Sequence, residues 1–351
     1  MSRPSDNKNP RLGTVGGEAV IEGVMMKSRE RHSIAVRAQD GGIVVKNKSN
    51  KTVRDKCRLF RVPFIRGIVN FVETLILSYS TLSDAVDMLG LEEEPGKFEK
   101  WLKKRFGASL MNVLTGLSFV FAMALVVGLF VYLPTLAAKG TERLFDVELG
   151  YWRSAVEGVF KVIVFVLYLF LASLLPDMHR VFMYHGAEHK TVFCYEHGAE
   201  LTVENVRRES RYHPRCGTSL LFVIIIISIL AATAFTTDVV WQRVVIKILL
   251  LPVVVGVGYE YIMYAGKHDN IVTRILSAPG LWMQRITTKE PDEGQMECAI
   301  TALKASLPSV FPDFSPRLWD QPGAGTGADH ADAPGTAGEA EVAASDEEVP
   351  E

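Results

Sequence analysis

Four long runs of apolar residues occupy the middle of the chain, with polar segments before and after them. The runs extend over Leu110–Ala138, Val156–Leu175, Thr218–Phe235 and Val244–Tyr264. A helix needs about 20 apolar residues to cross the hydrocarbon of a bilayer. Tyr and Trp residues flank the runs, as they do at membrane–water interfaces. The pattern therefore predicts an α-helical integral membrane protein with about four transmembrane helices.

Basic residues alternate between the two sides of these predicted spans. Five cations precede the first span at positions 97–105, and the long second connection carries six between 180 and 215. The first connection holds three cations together with acids, and the third, Thr236–Gln242, holds none. Short loops rich in Lys and Arg stay in the cytoplasm. We therefore expect a multi-pass membrane protein with both termini in the cytoplasm.

The segment before the first span predicts a small cytoplasmic α+β module. Ile34–Arg37 and Ile43–Val45 have strand character, and Asp40–Gly42 between them is a hairpin turn signal. Glu18 and Glu22 lie four residues apart in an apolar stretch and would share a face of a strand or a helix. Buried carboxylates need partners. The alternative is a solvated strand edge.

Phe64–Leu89 has an apolar helical period interrupted by charges, which predicts an amphipathic helix packed in or on the membrane surface.

The residues from about Gln321 onward are rich in Gly, Ala, Asp, Glu and Pro and lack the apolar content that folding requires. The expected units are a cytoplasmic module (1–62), the amphipathic helix with a basic linker (63–107), a transmembrane domain (108–270) with a cytoplasmic loop (177–217), interfacial and cytoplasmic helices (271–310), and a disordered acidic tail (321–351).

Composition narrows the classes of partner and compartment. The net charge of −2 gives no reason to expect a nucleic-acid partner. The four cysteines, at 57, 194, 216 and 298, have no framework spacing, which argues against structural disulfides. Met1–Asn9 has no apolar core, so a cleavable signal peptide is not expected.

The most informative motif is His-x-x-Glu-His at positions 185–189, directly after an apolar run. On a helix, His185 and His189 are one turn apart and can converge on one divalent metal ion, and Glu188 can act as a general base. This is the residue order of the inverted zincins. Gly186 weakens the helix that the spacing requires. Thr191–Glu196, which follows the motif, is predicted to form a strand.

A catalytic metal site needs a third protein ligand, and His213, Cys216 and Glu260 are the candidates. A Cys216 thiolate suits zinc, although His213 and Cys216 also look like half of a closed structural zinc site. Glu260 lies within an apolar run and needs a partner, with Lys267 as the alternative to a metal. Other residues predicted on the cytoplasmic side are further candidates: Glu18, Glu22 and His268. The competing interpretation is a set of side chains that only hydrogen-bond loop backbone.

Several segments together resemble the YqhQ-like family of bacterial membrane proteins. They are Gly16–Met26, Arg61–Gly67, Tyr184–Lys190 and His213–Thr218, with further similarity at Leu281–Gln284 and Thr287–Pro291. The resemblance covers roughly residues 12 to 307. It implies a multi-pass protein of the bacterial plasma membrane that is presumed to depend on a metal, and it implies no substrate or reaction.

Two functions of different classes follow. The first is a metal-dependent hydrolase that acts near the cytoplasmic face on a lipid-like or membrane-protein substrate. The second is a non-enzymatic membrane scaffold that docks the protein-translocation machinery or its ribosome, with the His/Glu/Cys cluster as a structural staple. A transporter is less well supported, because the spans offer no pair of broken helices. The oligomeric state stays open.

Overall fold

The computed structural model describes residues 9–50, 60, 62, 65–90, 116–235, 237, 239–265 and 270–319. Several parts of the sequence prediction lie outside these residues. They include the basic linker with the first residues of the first predicted span, Lys267, His268 and the acidic tail 321–351.

The N-terminal residues form a four-stranded antiparallel sheet in which neighbouring strands follow one another along the chain. The strands are β1 (Gly16–Val20), β2 (Gly23–Lys27), β3 (Arg31–Arg37) and β4 (Ile43–Ser49). Gly41, at a φ of +81°, takes the left-handed backbone conformation that the turn between β3 and β4 requires. The predicted pair of strands and the hairpin between them are confirmed.

Glu18 and Glu22 do not share a face, so that prediction was wrong. Glu18 lies on β1, whereas Glu22 lies in the tight turn between β1 and β2 with a φ of 50°. The turn points the Glu22 carboxylate at Arg180, whose Nε and Nη2 atoms both donate to it, and Tyr184 donates a further bond of 3.3 Å. Glu22 is therefore a paired residue and not a bare acid on a strand edge.

Helices make up most of the remaining described residues. They are α1 (Ile65–Met88), α2 (Gly116–Phe145), α3 (Arg153–Ser173), α4 (Pro176–Glu196), α5 (Val203–Arg208), α6 (Gly217–Thr233), α7 (Val240–Ala265), α8 (Ile271–Thr287) and α9 (Glu293–Ser306). Three of them, α2, α3 and α7, are long and apolar enough to cross a membrane. The apolar helix α6 has 17 residues and is shorter. Within the described residues, all four predicted apolar runs are thus mainly helical, and three of the helices meet the length expected of a span.

The helix α4 carries the His-x-x-Glu-His motif and continues without a break to Glu196. The predicted strand over Thr191–Glu196 was therefore wrong. Pro176 starts the helix at a position where its missing N–H costs nothing, and Gly198 with a φ of +76° follows its end. Of the seven residues from Glu188 to Cys194, all except Phe193 are buried. Tertiary burial thus overrides the local strand preference.

One hydrophobic core joins the sheet to two helices that are distant in sequence. Val24 and Met26 of β2, Tyr184 of α4, and Met296 and Leu303 of α9 are almost completely buried in it. A capping box formed by Asp292 and Gln295 begins α9 at the point where the chain arrives on the sheet. This core holds α4 against the sheet on one side, so the motif is presented from a rigid element.

Gly186 lets α4 approach the connection between α8 and α9. A Cβ atom at this position would stand 2.0 Å from the carbonyl oxygen of Lys289. The Lys289 N–H donates a bond of 2.8 Å to the carbonyl of Phe182, which holds the two segments together. The glycine that weakens the helix locally therefore serves a close tertiary contact.

We expect Gly186→Ala to destabilise the protein, because the new methyl group must displace a backbone carbonyl and not a flexible side chain. Overpacking of this kind costs about 1–3 kcal/mol. The apparent Tm of the detergent-purified protein should fall by several degrees. Gly140→Ala in α2 is the matched control, since nothing lies within 4 Å of its added Cβ. An equal or higher Tm for Gly186→Ala would contradict the interpretation.

Candidate metal centre

Three side chains from two segments converge at the start of α6. His185 and His189 come from successive turns of α4, and Cys216 is the residue that precedes α6. One ligand atom of each lies within 4.8 Å of the others, and the His185 Nε2 to Cys216 Sγ distance is 3.2 Å. Two ligands of a tetrahedral zinc ion lie about 3.3–3.8 Å apart. Small movements would therefore bring these atoms to zinc-binding distances.

Both histidine rings are oriented by backbone carbonyl groups. His185 Nδ1 lies 2.8 Å from the carbonyl of Thr287, and His189 Nδ1 lies 2.6 Å from the carbonyl of Arg211. When Nδ1 donates its proton to a carbonyl, Nε2 keeps its lone pair for a metal. Metal-binding histidines are held by partners of this kind. The second shell that a metal site needs is therefore present.

The protonation states of the site also suit a metal. Burial lowers the pKa of His189, and the charge of His185 lowers it further, while the hydrogen bond to Cys216 opposes the shift. Burial alone raises the pKa of the Cys216 thiol, but the hydrogen bond and charge of His189 and the bonds from Thr218 outweigh it and lower the pKa. A neutral imidazole and a thiolate are the forms that bind metals.

Glu188 lies beside the three ligands and is only 7% exposed. Burial raises its pKa to about 8; the charges of Cys216 and Glu18 add to this rise, while His185 and a hydrogen bond from the Gly17 backbone oppose it. Its Oε2 atom is buried and has no hydrogen-bond partner within the described part of the chain. An acceptor in this state is available to a water molecule or a substrate.

The strand β1 forms a wall beside Glu188. A Cβ atom at Gly17 would stand 3.1 Å from Glu188 Cγ and 2.5 Å from the carbonyl oxygen of Met25, so only glycine fits there. Glu18, the next residue, accepts a hydrogen bond from Ser78 of α1, and burial raises its pKa. Glu18 is thus near enough for its charge to act on Glu188, although it is not one of the three ligands.

His213 faces away from the ligand group. Its Nδ1 accepts a bond of 3.3 Å from the Arg215 N–H, and its Nε2 lies 3.6 Å from a carboxylate oxygen of Glu196. The ring packs against that of His189, with a centroid distance of 5.5 Å. The expectation that His213 completes the ligand shell is therefore replaced by a supporting position next to it.

Two buried residues that support this region were not singled out from the sequence. Glu196 accepts bonds from the Gly13 N–H and from Arg215, which brings the N-terminal segment to the end of α4. Gln284 of α8 accepts a bond of 2.7 Å from the His213 N–H and donates one of 2.8 Å to its carbonyl oxygen. The only available signal for Gln284 was its position in the segment Leu281–Gln284, which carried part of the family resemblance.

Glu260 belongs to a different contact. It forms a two-pronged ion pair with Arg66 of α1, one bond of which measures 2.7 Å. The same helices meet at Gly67 and Gly256, where an added Cβ would stand 3.0 Å from the facing Cα. The prediction that Glu260 needs a partner is confirmed, but the partner is Arg66, and Glu260 is not in the ligand group. Glu22 likewise pairs with Arg180, as described above.

The donor set fits zinc better than a hard cation. Two imidazole nitrogens and one thiolate sulfur are ligands that zinc accepts, whereas calcium and magnesium prefer oxygen. Structural zinc sites have four protein ligands, and catalytic sites have three with one open position. The described residues supply a group of three, with a buried carboxylate beside it.

Comparison with known proteins identifies the family. The family model described as "Protein of unknown function (DUF1385)" matches residues 62–309. "Uncharacterized protein YqhQ" of Bacillus subtilis (strain 168) is 35% identical over 297 residues, which cover 83% of this chain and 92% of that protein. No solved structure matches the chain. All three candidate ligands fall within the segment that the family model matches. The chain belongs to the DUF1385 family, and YqhQ is a relative of this chain.

Proposed function

We propose that this protein is a metal-dependent hydrolase of the bacterial plasma membrane, with its centre at the cytoplasmic face. The observation that carries the proposal is the convergence of His185, His189 and Cys216 beside the buried carboxylate of Glu188. The reaction class is hydrolysis, on a lipid-like or membrane-protein substrate. Zinc with an open position lowers the pKa of a water molecule that it binds and polarises a substrate carbonyl or phosphoryl group.

The residues around the centre have separate tasks. His185, His189 and Cys216 would hold the ion, and the carbonyls of Thr287 and Arg211 keep the two rings in place. Glu188 would take a proton from water and return it to the leaving group, for which a pKa near 8 is well matched to neutral pH. The wall formed by Gly17 keeps bulk water away from the carboxylate.

Membrane insertion is supported by the surfaces of the apolar helices. Large apolar side chains point outward from them, for example Phe119 and Phe121 of α2 and Leu171 of α3, which are 68%, 70% and 54% exposed. A soluble protein does not leave apolar surface of this extent in water. The basic second connection and the sparsely charged third connection favour a multi-pass orientation with cytoplasmic termini and a cytoplasmic metal centre.

The orientation can be tested with two variants. Each places a cysteine at an exposed position, and the two positions are predicted to lie on opposite sides of the membrane. Glu148→Cys, between α2 and α3, should react with a membrane-impermeant maleimide added to intact cells. Glu204→Cys, in α5, should react only after the cells are opened. Labelling of Glu204→Cys in intact cells would overturn the cytoplasmic location. Extraction of the protein by alkaline carbonate would overturn membrane insertion itself.

The metal is tested by elemental mass spectrometry of the detergent-purified protein. We expect about one zinc per chain, and we expect His189→Ala to lose it because one of the three candidate ligands is removed. His197→Ala is the matched control, since His197 is an exposed histidine of the same helix end that pairs with Glu209. Circular dichroism and size exclusion establish that each variant is folded.

Two outcomes would change this proposal. Unchanged zinc in folded His189→Ala would show that the centre does not bind the ion through this residue. Zinc lost together with the fold would identify a structural site. That outcome favours the alternative function, a scaffold for the protein-translocation machinery, and crosslinking to find its partner would follow.

Glu188→Gln separates catalysis from metal binding. The amide has the same size but cannot accept the proton, so zinc content should stay unchanged while hydrolysis falls about 10²- to 10⁴-fold. The readout is hydrolysis of a panel of ester, phosphodiester and lipid substrates by zinc-loaded protein. Glu204→Gln, an exposed carboxylate in α5, is the control. Full activity in Glu188→Gln would exclude it as the base.

A further inference from the structure

A second buried polar cluster lies among the apolar helices. Glu157 of α3 is 2% exposed and accepts a hydrogen bond of 2.9 Å from Arg243 of α7. Lys247, one turn further along α7, donates both to Glu157 and to Thr135 of α2. Arg243 itself is 4% exposed. One carboxylate is therefore shared by a buried arginine and a partly buried lysine.

Lys161 adds a third cation to this cluster. It lies one turn after Glu157 on α3, and its Nζ atom is 3.3 Å from the hydroxyl of Ser228 on α6. Arg153, one turn before Glu157, also has Glu142 within 3.6 Å. If Arg153 is assigned to its ion pair with Glu142, the described residues place three cations around the single carboxylate of Glu157. They are Lys161, Arg243 and Lys247.

This excess of positive charge is not balanced by the hydroxyl groups in the cluster. Thr135 and Ser228 accept hydrogen bonds but carry no charge. A buried charge that no opposite charge compensates costs several kcal/mol. Ionisable side chains among membrane helices pair with one another or mark a binding site. The cluster thus has the charge and the donors to bind an anion.

An apolar groove lies on the same two helices, α2 and α7, one helical turn from the contact between Thr135 and Lys247. Its volume is about 530 Å³, and its lining includes Phe119, Met123, Val127 and Tyr132 of α2 and Val244 of α7. Val244 follows Arg243 directly, and Tyr132 lies one turn before Thr135, the partner of Lys247. The described residues that line the groove include no charged side chain, and the cationic cluster lies next to it along α2 and α7.

We infer that these helices bind an anionic phospholipid, with its phosphate at Lys161, Arg243 and Lys247 and an acyl chain in the groove. Charge complementarity argues for the phosphate, and the continuous apolar lining argues for the chain. From Glu157 to Ser173, α3 rises about 24 Å toward the end that leads into α4. The lipid site is therefore at the opposite end of α3 from the metal centre. The inference rests on the proposed membrane insertion, but not on metal binding or catalysis.

Native mass spectrometry of the full chain in a neutral detergent tests this site. Phosphatidylglycerol should bind about tenfold more tightly than phosphatidylcholine of the same acyl chains, a difference of about 1.4 kcal/mol. Lys161→Met removes one cation with little change of volume and should abolish this preference. Lys139→Met is the matched control, because Lys139 is an exposed lysine of α2 outside the cluster. Zinc content should be the same in both variants, which separates a failure here from a failure of the metal centre.

A second variant and a competition experiment identify the ligand. Met123→Trp fills the groove without changing a charge, and it should weaken phosphatidylglycerol binding several-fold even if Lys161→Met fails to fold. Inorganic phosphate at millimolar concentration should not displace the lipid. Equal binding of the two lipids, an unchanged preference in folded Lys161→Met, or full displacement by phosphate would each overturn the inference.

Discussion

The geometry of the candidate metal centre depends on two hydrogen bonds that leave α4 in different directions. His185 donates to the carbonyl of Thr287 at the end of α8, and His189 donates to the carbonyl of Arg211 in the loop before α6. A neutral imidazole has one N–H, so each bond decides which nitrogen is left for a metal. The site geometry is therefore a property of three packed segments and not of the His-x-x-Glu-His motif alone.

The packing that makes these bonds possible requires glycine at defined points. Gly186 allows the Lys289 carbonyl to approach α4, and Gly280 of α8 allows contact with Ser219 of α6, where an added Cβ would stand 2.5 Å from the facing Cα. Glycine within a helix costs about 1 kcal/mol relative to alanine. At both positions this cost is offset by tertiary contacts that bring α8 beside the ligands of α4 and the Cys216 end of α6.

The sequence predicted what depends on local pattern and missed what depends on tertiary contact. Apolar periodicity and turn residues were sufficient for the four apolar helices and the hairpin between β3 and β4. The same reasoning mistook Thr191–Glu196 for a strand, because burial of α4 between the sheet and α9 overrides local preference. Glu260 needed a partner, but its cation, Arg66, is 194 residues away, and no local signal pairs the two.

The two lysines within the predicted spans show the same limit. Lys161 and Lys247 lie near span ends, where a lysine is expected to extend toward the interface. Instead, Lys161 contacts Ser228, and Lys247 pairs with Glu157 among the helices. The contacts of these lysines depend on Glu157 and Arg243. Neither residue gives a signal in the sequence, and they form a cluster only because α3 packs near α7.

One physical rule then accounts for the polar groups at both ends of α3. A buried polar group needs a partner of opposite character. At the candidate metal centre, the groups that converge are electron-pair donors, the two histidine rings and the Cys216 sulfur, and Glu188 Oε2 beside them has no hydrogen-bond partner within the described residues. In the distal cluster, cations outnumber the single carboxylate of Glu157 among the described residues. The first arrangement favours a positive ion and the second a negative one, so the two ends are complementary to ligands of opposite charge.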